Sequence, residues 1–131
     1  MLSSRNMNNL VIEATKRTPG INFDFDNHVL SFTGESYPED ASVFFGEIIS
    51  ALNTYTTSTT STTINVNFDL IYFNSSSAKA LMRIFDMLDA SANNNDILIK
   101  WFYEEDDDNM AELGEEFGED LVNAKFELVI K

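Results

Sequence analysis

Along most of the chain the apolar residues switch between a period of two and a period near 3.6, and that switching limits the fold more than any other sequence feature. Ile64, Val66, Phe68 and Leu70 alternate with Asn65, Asn67 and Asp69 before an apolar close at Ile71-Tyr72-Phe73, the pattern of a central strand entering a core. Directly after Asn74-Ser75-Ser76-Ser77, the residues Ala78, Leu81, Met82, Phe85 and Leu88 return at helical spacing. This predicts a helix over about residues 76 to 90. Ile97, Ile99, Trp101 and Tyr103 share one face of a further strand, ILIKWFY, that follows the turn formers Asn93 to Asp96. Met110, Leu113, Phe117 and Leu121 form the narrow apolar stripe of a short helix, and KFELVIK closes the chain as a strand.

Upstream, Ile21, Phe23 and Phe25, then His28, Leu30 and Phe32, flank Asp26-Asn27 as the two arms of a hairpin. Ser36-Tyr37-Pro38-Glu39 offers a hydroxyl cap, an early proline and an acid ahead of Ala41, Phe44, Phe45, Ile48, Leu52 and Tyr55. A first helix is therefore expected over about residues 38 to 55. Strands that alternate with helices of crossover length require a largely parallel sheet with right-handed connections. The expected class is α/β: a mixed, mostly parallel sheet with an N-terminal β-hairpin and about three helices packed on it.

A chain of 131 residues is one domain's worth, and 44% hydrophobic residues with eleven Phe supply a core. Residues 1–7 are expected to be weakly ordered and residues 8–131 to form the single domain. The stretch TYTTSTTSTT, residues 54–63, has nothing to bury and is expected to be a solvated, mobile connection. Eight basic residues against 22 acidic ones give a net charge of −14, which phosphate backbones and anionic lipid repel. Nucleic acid and membrane surfaces are excluded as expected partners. Ten of the acids lie between Glu104 and Asp120 with no base among them, leaving the rest of the chain near balance. That segment is read as a solvated outer face or as a second contact surface that steers a basic partner. No cysteine is present, so disulfides, thiolate metal sites and cysteine nucleophiles are ruled out. The N-terminus lacks an apolar signal region and no stretch reaches membrane-spanning length, so a cytoplasmic location is expected.

The catalytic inventory is thin. With one histidine and no cysteine, the Ser-His-Asp, Cys-His and polyhistidine zinc arrangements all lack parts. His28 is read as structural, within a hairpin strand. Gly20, Gly34, Gly46, Gly114 and Gly118 are scattered singly, so no phosphate-cradling loop exists. The run Glu104 to Asn109 lacks the glycine and terminal glutamate of an EF-hand and reads as the acid-rich start of a helix. No catalytic residue, cofactor or metal is assigned.

The most informative stretch is Phe73-Asn74-Ser75-Ser76-Ser77-Ala78-Lys79, three hydroxyls where a buried strand gives way to a helix. Helix-start N–H groups have no intrahelical acceptor, so a serine there caps them, and a phosphoserine brings nearly two negative charges to the same donors. Capping without regulation is the commoner role. Lys79 and Arg83 follow Ser75 by four and eight residues and are expected on its face, where they would help neutralise a phosphate.

Thr18-Pro19, Ser36-Tyr37-Pro38-Glu39-Asp40, Tyr72-Phe73-Asn74-Ser75-Ser76-Ser77-Ala78-Lys79 and Trp101-Phe102-Tyr103-Glu104-Glu105-Asp106-Asp107 occur in that order. Together they resemble the SiaC-type bacterial regulatory phosphoproteins over about residues 8 to 130. The resemblance implies a fold similar to the STAS domain of anti-sigma-factor antagonists, with the phosphoacceptor at the start of the helix after a core strand. On this sequence that position is Ser75. The family's residue there is usually threonine, and Ser76 stands as the alternative. The resemblance also implies an unphosphorylated form that binds and activates a diguanylate cyclase, with a Ser/Thr protein kinase and a PP2C-type phosphatase setting its state. Asn74, Ser76, Ser77, Lys79 and Arg83 are the expected partner-facing neighbours. Two rival readings are an anti-sigma-factor antagonist acting on a kinase-type anti-sigma factor, and a small enzyme built on carboxylates of the acidic segment.

Overall fold

The computed structural model describes residues 8–131, so the expectation for residues 1–7 lies outside the described residues. Strand and helix follow in the order β1 (Leu10–Ile12), β2 (Gly20–Asp24), β3 (Val29–Ser36), α1 (Ala41–Thr57), β4 (Thr63–Phe73), α2 (Ser75–Ser91), β5 (Asp96–Tyr103), α3 (Asp108–Glu119) and β6 (Lys125–Ile130). They build one sheet in the order β1-β2-β3-β4-β5-β6. The first three strands pair antiparallel and β3 to β6 pair parallel. Each parallel connection steps the same way along the sheet, so right-handed crossovers put all three helices on one face. Burial follows that geometry. Ile64, Val66, Phe68 and Leu70 of β4 and Ile97, Ile99 and Trp101 of β5 are buried, while Asn65, Asn67, Asp69 and Lys100 between them stay partly exposed.

Aromatic rings fill the space between sheet and helices. Phe68 stacks on Phe32 at 4.5 Å and on Phe85 at 4.9 Å, and Phe117 of α3 stacks on Phe85 at 5.1 Å. Trp101 is fully buried and its indole N–H donates to the Met110 carbonyl at 3.0 Å, which ties β5 to α3. Gly114 faces that indole. A Cβ added there would sit 2.6 Å from Trp101 Nε1, inside any contact distance, so α3 approaches the sheet only because this position has no side chain.

Four details differ from the sequence reading, each for a local reason. The helix α1 begins at Ala41 with Asp40 as its cap, accepting from the Val43 N–H at 3.2 Å. Ser36 is instead the last residue of β3, opposite Phe73 of β4, and is buried, so it ends a strand, and Tyr37 to Glu39 form the connection that precedes the helix. The hydroxyl-rich segment is not simply a mobile connection. α1 runs on to Thr57, and Thr57, Ser58 and Thr59 donate their hydroxyls back to the carbonyls of Asn53, Thr54 and Tyr55. Asn95 holds the remainder by donating to Thr59 O and accepting from Thr62 N–H. His28 lies in the turn between β2 and β3 with φ 59, not in a strand, and its Nδ1 is hydrogen-bonded to the Tyr55 hydroxyl. Burial pushes the Tyr55 pKa up to about 12, keeping that hydroxyl protonated. The strand β1 has three residues, too short for a legible period, and is recruited by its antiparallel pairing with β2.

A carboxylate anchors the far end of the fold. Asp89 of α2 accepts from the backbone N–H groups of Val122, Asn123 and Ala124, fixing the connection from α3 to β6. Desolvation raises its pKa, but the three N–H bonds together outweigh that and hold the carboxyl below its ordinary value of 3.8. Because the folded pKa is depressed, this contribution to stability is complete above the ordinary value and lost as pH falls through the folded one. Urea unfolding of Asp89→Ala is therefore expected to show a loss relative to wild type at neutral pH that closes below about pH 4, by the linkage of pKa to stability. A loss that stays constant into acid would contradict it. Gly114→Ala is expected to cost about 1–3 kcal/mol by overpacking against Trp101. At Gly46, on the exposed side of α1 with no atom within 4 Å of an added Cβ, the same substitution is expected to stabilise by about 0.5–1 kcal/mol.

Candidate functional site

The start of α2 is fixed by hydrogen bonds that the sequence supplies from three places. Asn74 is extended (φ −89, ψ 177) and its side chain caps the helix by accepting from the Ser77 N–H at 2.9 Å. Its own N–H donates to Ser36 O at 3.0 Å. Ser77 has no exposure. Its hydroxyl donates to the same Ser36 carbonyl at 3.0 Å and lies 2.7 Å from the Ser36 hydroxyl, which completes the pair. The ends of β3 and β4 and the first turn of α2 are thereby held as one unit.

On that unit Ser75 and Ser76 are both exposed, at the first two helical positions. Their N–H groups are among those a helix start leaves without an intrahelical acceptor, which makes the spot favourable for an anion. Ser77 was expected to face a partner as well. It does not, because its hydroxyl is committed inside the fold.

Lys79 and Arg83 are exposed, and among the described residues neither takes part in an ion pair. Ser76, Lys79 and Arg83 line a groove of about 910 Å³ between α1 and α2, with Glu39 and Asp40 opposite. Ser75 is not in that lining. Eight residues at about 100° each leave Arg83 well round the helix from Ser75, whereas seven bring it almost under Ser76. Arg83 thus belongs to the face of Ser76, a correction to its expected place, while Lys79 neighbours both serines at helical spacing.

Four residues that the sequence reading passed over lie close by in the chain or fold. Tyr72 is 49% and Ile71 61% exposed, although the alternating pattern assigned both to the core and only Phe73 is buried. The cause is a break in register: Gly34 of β3 pairs with Leu70 and Glu35 with Tyr72, which leaves Ile71 as the extra residue of a bulge, and pairing with β5 has already ended at Phe68 opposite Trp101. Tyr37 meets Tyr72 edge-on at 5.9 Å, and the Arg17 guanidinium lies 5.6 Å from the Tyr37 ring. Aromatic surface with an adjacent arginine is typical of docking patches. The apolar run ending at Phe73 was the available signal, read too uniformly.

The acids from Glu104 to Asp120 are exposed apart from Asp107, which is partly buried and caps α3 by accepting from the Met110 N–H at 3.0 Å. Among the described residues, no three His, Cys, Asp or Glu groups are placed to hold a metal ion. No helix among them is long and apolar enough to cross a membrane.

Comparison with known proteins gives a consistent result. The family model described as SiaC family regulatory phosphoprotein matches residues 12–131. An uncharacterized protein of Pseudomonas aeruginosa strain UCBPP-PA14 is 35% identical over 115 residues, covering 87% of this chain and 90% of that one. The crystal structure of apo-SiaC from Pseudomonas aeruginosa superposes with a TM-score of 0.84 at 34% identity, covering 94% of this chain and 99% of the other. SiaC of the same organism, in a crystal structure of the diguanylate cyclase SiaD in complex with its activator SiaC, gives a TM-score of 0.82 at 31% identity over 91% of this chain and 98% of that one. With the six-stranded sheet, the three helices and all but the first residues matched, this chain belongs to the SiaC family of regulatory phosphoproteins.

Proposed function

We propose that this chain is a phosphorylation-controlled switch that, unphosphorylated, docks on a diguanylate cyclase and activates it. Ser75 is the phosphoacceptor. Asn74, Ser76 and Lys79 border it, and a Ser/Thr protein kinase and a PP2C-type phosphatase set its state in the cytoplasm. The protein itself catalyses nothing. The observation that carries the reading is the exposure of Ser75 at the first position of α2, on a scaffold locked beneath it by Ser36 and Ser77.

The physical logic is one of charge at a docking surface. A phosphate on Ser75 meets free helix-start N–H groups and Lys79, and it places a dianion beside Ile71 and Tyr72. A partner that buries those apolar side chains must then desolvate the phosphate or leave. Support for a cyclase partner comes from the SiaD complex of the relative. The solvated state of the acidic segment favours docking over carboxylate catalysis, since a catalytic carboxyl needs burial or close neighbours to tune its pKa. An anti-sigma-factor antagonist remains the rival within the same class, and recovery of a sigma-regulating kinase instead of a cyclase from the native host would favour it.

Incubation with the host's kinase is expected to label wild type and Ser76→Ala but not Ser75→Ala. Undiminished labelling of Ser75→Ala with loss in Ser76→Ala would move the acceptor to Ser76. Ser77→Ala should still accept phosphate while losing about 1–3 kcal/mol of stability from its buried hydrogen bonds. Added to the host's diguanylate cyclase, the unphosphorylated chain is expected to raise cyclic dinucleotide formation, and unchanged output would contradict the cyclase assignment.

A further inference from the structure

A second groove, of about 410 Å³, runs along the opposite flank of α2, between α2 and α3. Its floor is apolar, with Met82, Phe85, Leu113 and Phe117 prominent, and Met82 is 55% exposed. Its rim is acidic on both walls: Asp86 and Asp89 on α2, Glu116 and Glu119 on α3, and Asp120 just past the end of α3, with no base in the lining. The Asp89 carboxylate is occupied by the backbone of the following loop. The other four are exposed and, among the described residues, form no ion pair.

We infer that this groove seats an amphipathic helix of a partner protein whose apolar stripe is flanked by lysine or arginine. A valley between two helices matches the ridge of a third, and its floor gains from losing water. Four uncompensated carboxylates on facing walls choose the sign of the occupant. A second copy of this chain, at net charge −14, and an anionic membrane are both repelled.

The inference goes beyond the switch at Ser75. Ser75 is outside this lining, whereas Ala78 and Met82, which share its helical face, are within it. A phosphate on Ser75 therefore adds negative charge near one end of the groove and does not repel a basic helix. The two surfaces of α2 separate by function: docking at its start is switched, and docking in the α2/α3 groove persists in both states.

The test uses the full chain, labelled with nitrogen-15, and a designed amphipathic peptide of about 18 residues, or five turns, with a leucine stripe and lysine flanks. Amide shifts confined to α2 and α3, an affinity cut at least tenfold by Met82→Glu or by joint Glu116→Lys and Asp120→Lys, and no effect of Arg83→Glu are expected. Met82 is a surface side chain, so its substitution leaves the fold intact. Ser75→Asp should bind the peptide as well as wild type or better, and weakened binding there would overturn the separation of the two surfaces. Equal binding of a peptide with glutamate flanks, shifts scattered over the molecule, or self-association abolished by Met82→Glu would overturn the site itself. None of these outcomes depends on whether a cyclase is the partner at the other surface.

Discussion

Two serine hydroxyls 2.7 Å apart, both without exposure, hold the functional end of this molecule together. Ser36 ends β3 and Ser77 lies in the first turn of α2, 41 residues further on. The Ser36 carbonyl accepts from Asn74 N–H and from the Ser77 hydroxyl, so one oxygen joins a strand end, a cap and a helix start. In a buried setting such a network is costly if left half-made, and here every member is satisfied. Rigidity at Ser75 follows from it. Under the proposed function, a kinase would meet a hydroxyl in a fixed place, and a docking partner a fixed surface around it.

The sheet topology decides what surrounds that surface. Because the parallel strands advance in one direction, the helices fall side by side on one face and α2 is the middle one. It therefore has two flanks. One shares a groove with α1 and carries Ser76, Lys79 and Arg83, and the other shares a groove with α3 and is ringed by carboxylates. A chain with eight bases places two of them on one flank of a single helix and a row of acids on the other. Opposite charges on the two flanks of one element would allow two partners of different charge to be distinguished.

Much of this architecture is legible in the sequence, because the buried face of a sheet and the buried stripe of a helix impose their periods on it. The strands β4 and β5 and the helix α2 follow their apolar spacing closely. Failures cluster where tertiary contacts override local pattern. Ser36 has the composition of a helix cap but is claimed by pairing with β4, and Asp40 takes over the role. Ile71 and Tyr72 read as core but are exposed where a bulge against β3 shifts the register and the pairing with β5 has ended. At the site, the helix threshold and its serines were visible from residue types, whereas the burial of Ser77 needed its partner 41 residues away. Nor could spacing along the chain reveal that Arg17, from the β1–β2 connection, and Tyr37, from the β3–α1 connection, meet beside Tyr72.

The central claim is that a phosphate at the head of α2 decides docking there. Calorimetry of the host's cyclase against the protein with Ser75 unmodified and against the protein fully phosphorylated on Ser75 puts that to the most direct test. The account predicts tight binding of the first form and at least about tenfold weaker binding of the second, roughly 1.4 kcal/mol or more. Equal affinity for the two forms would contradict it.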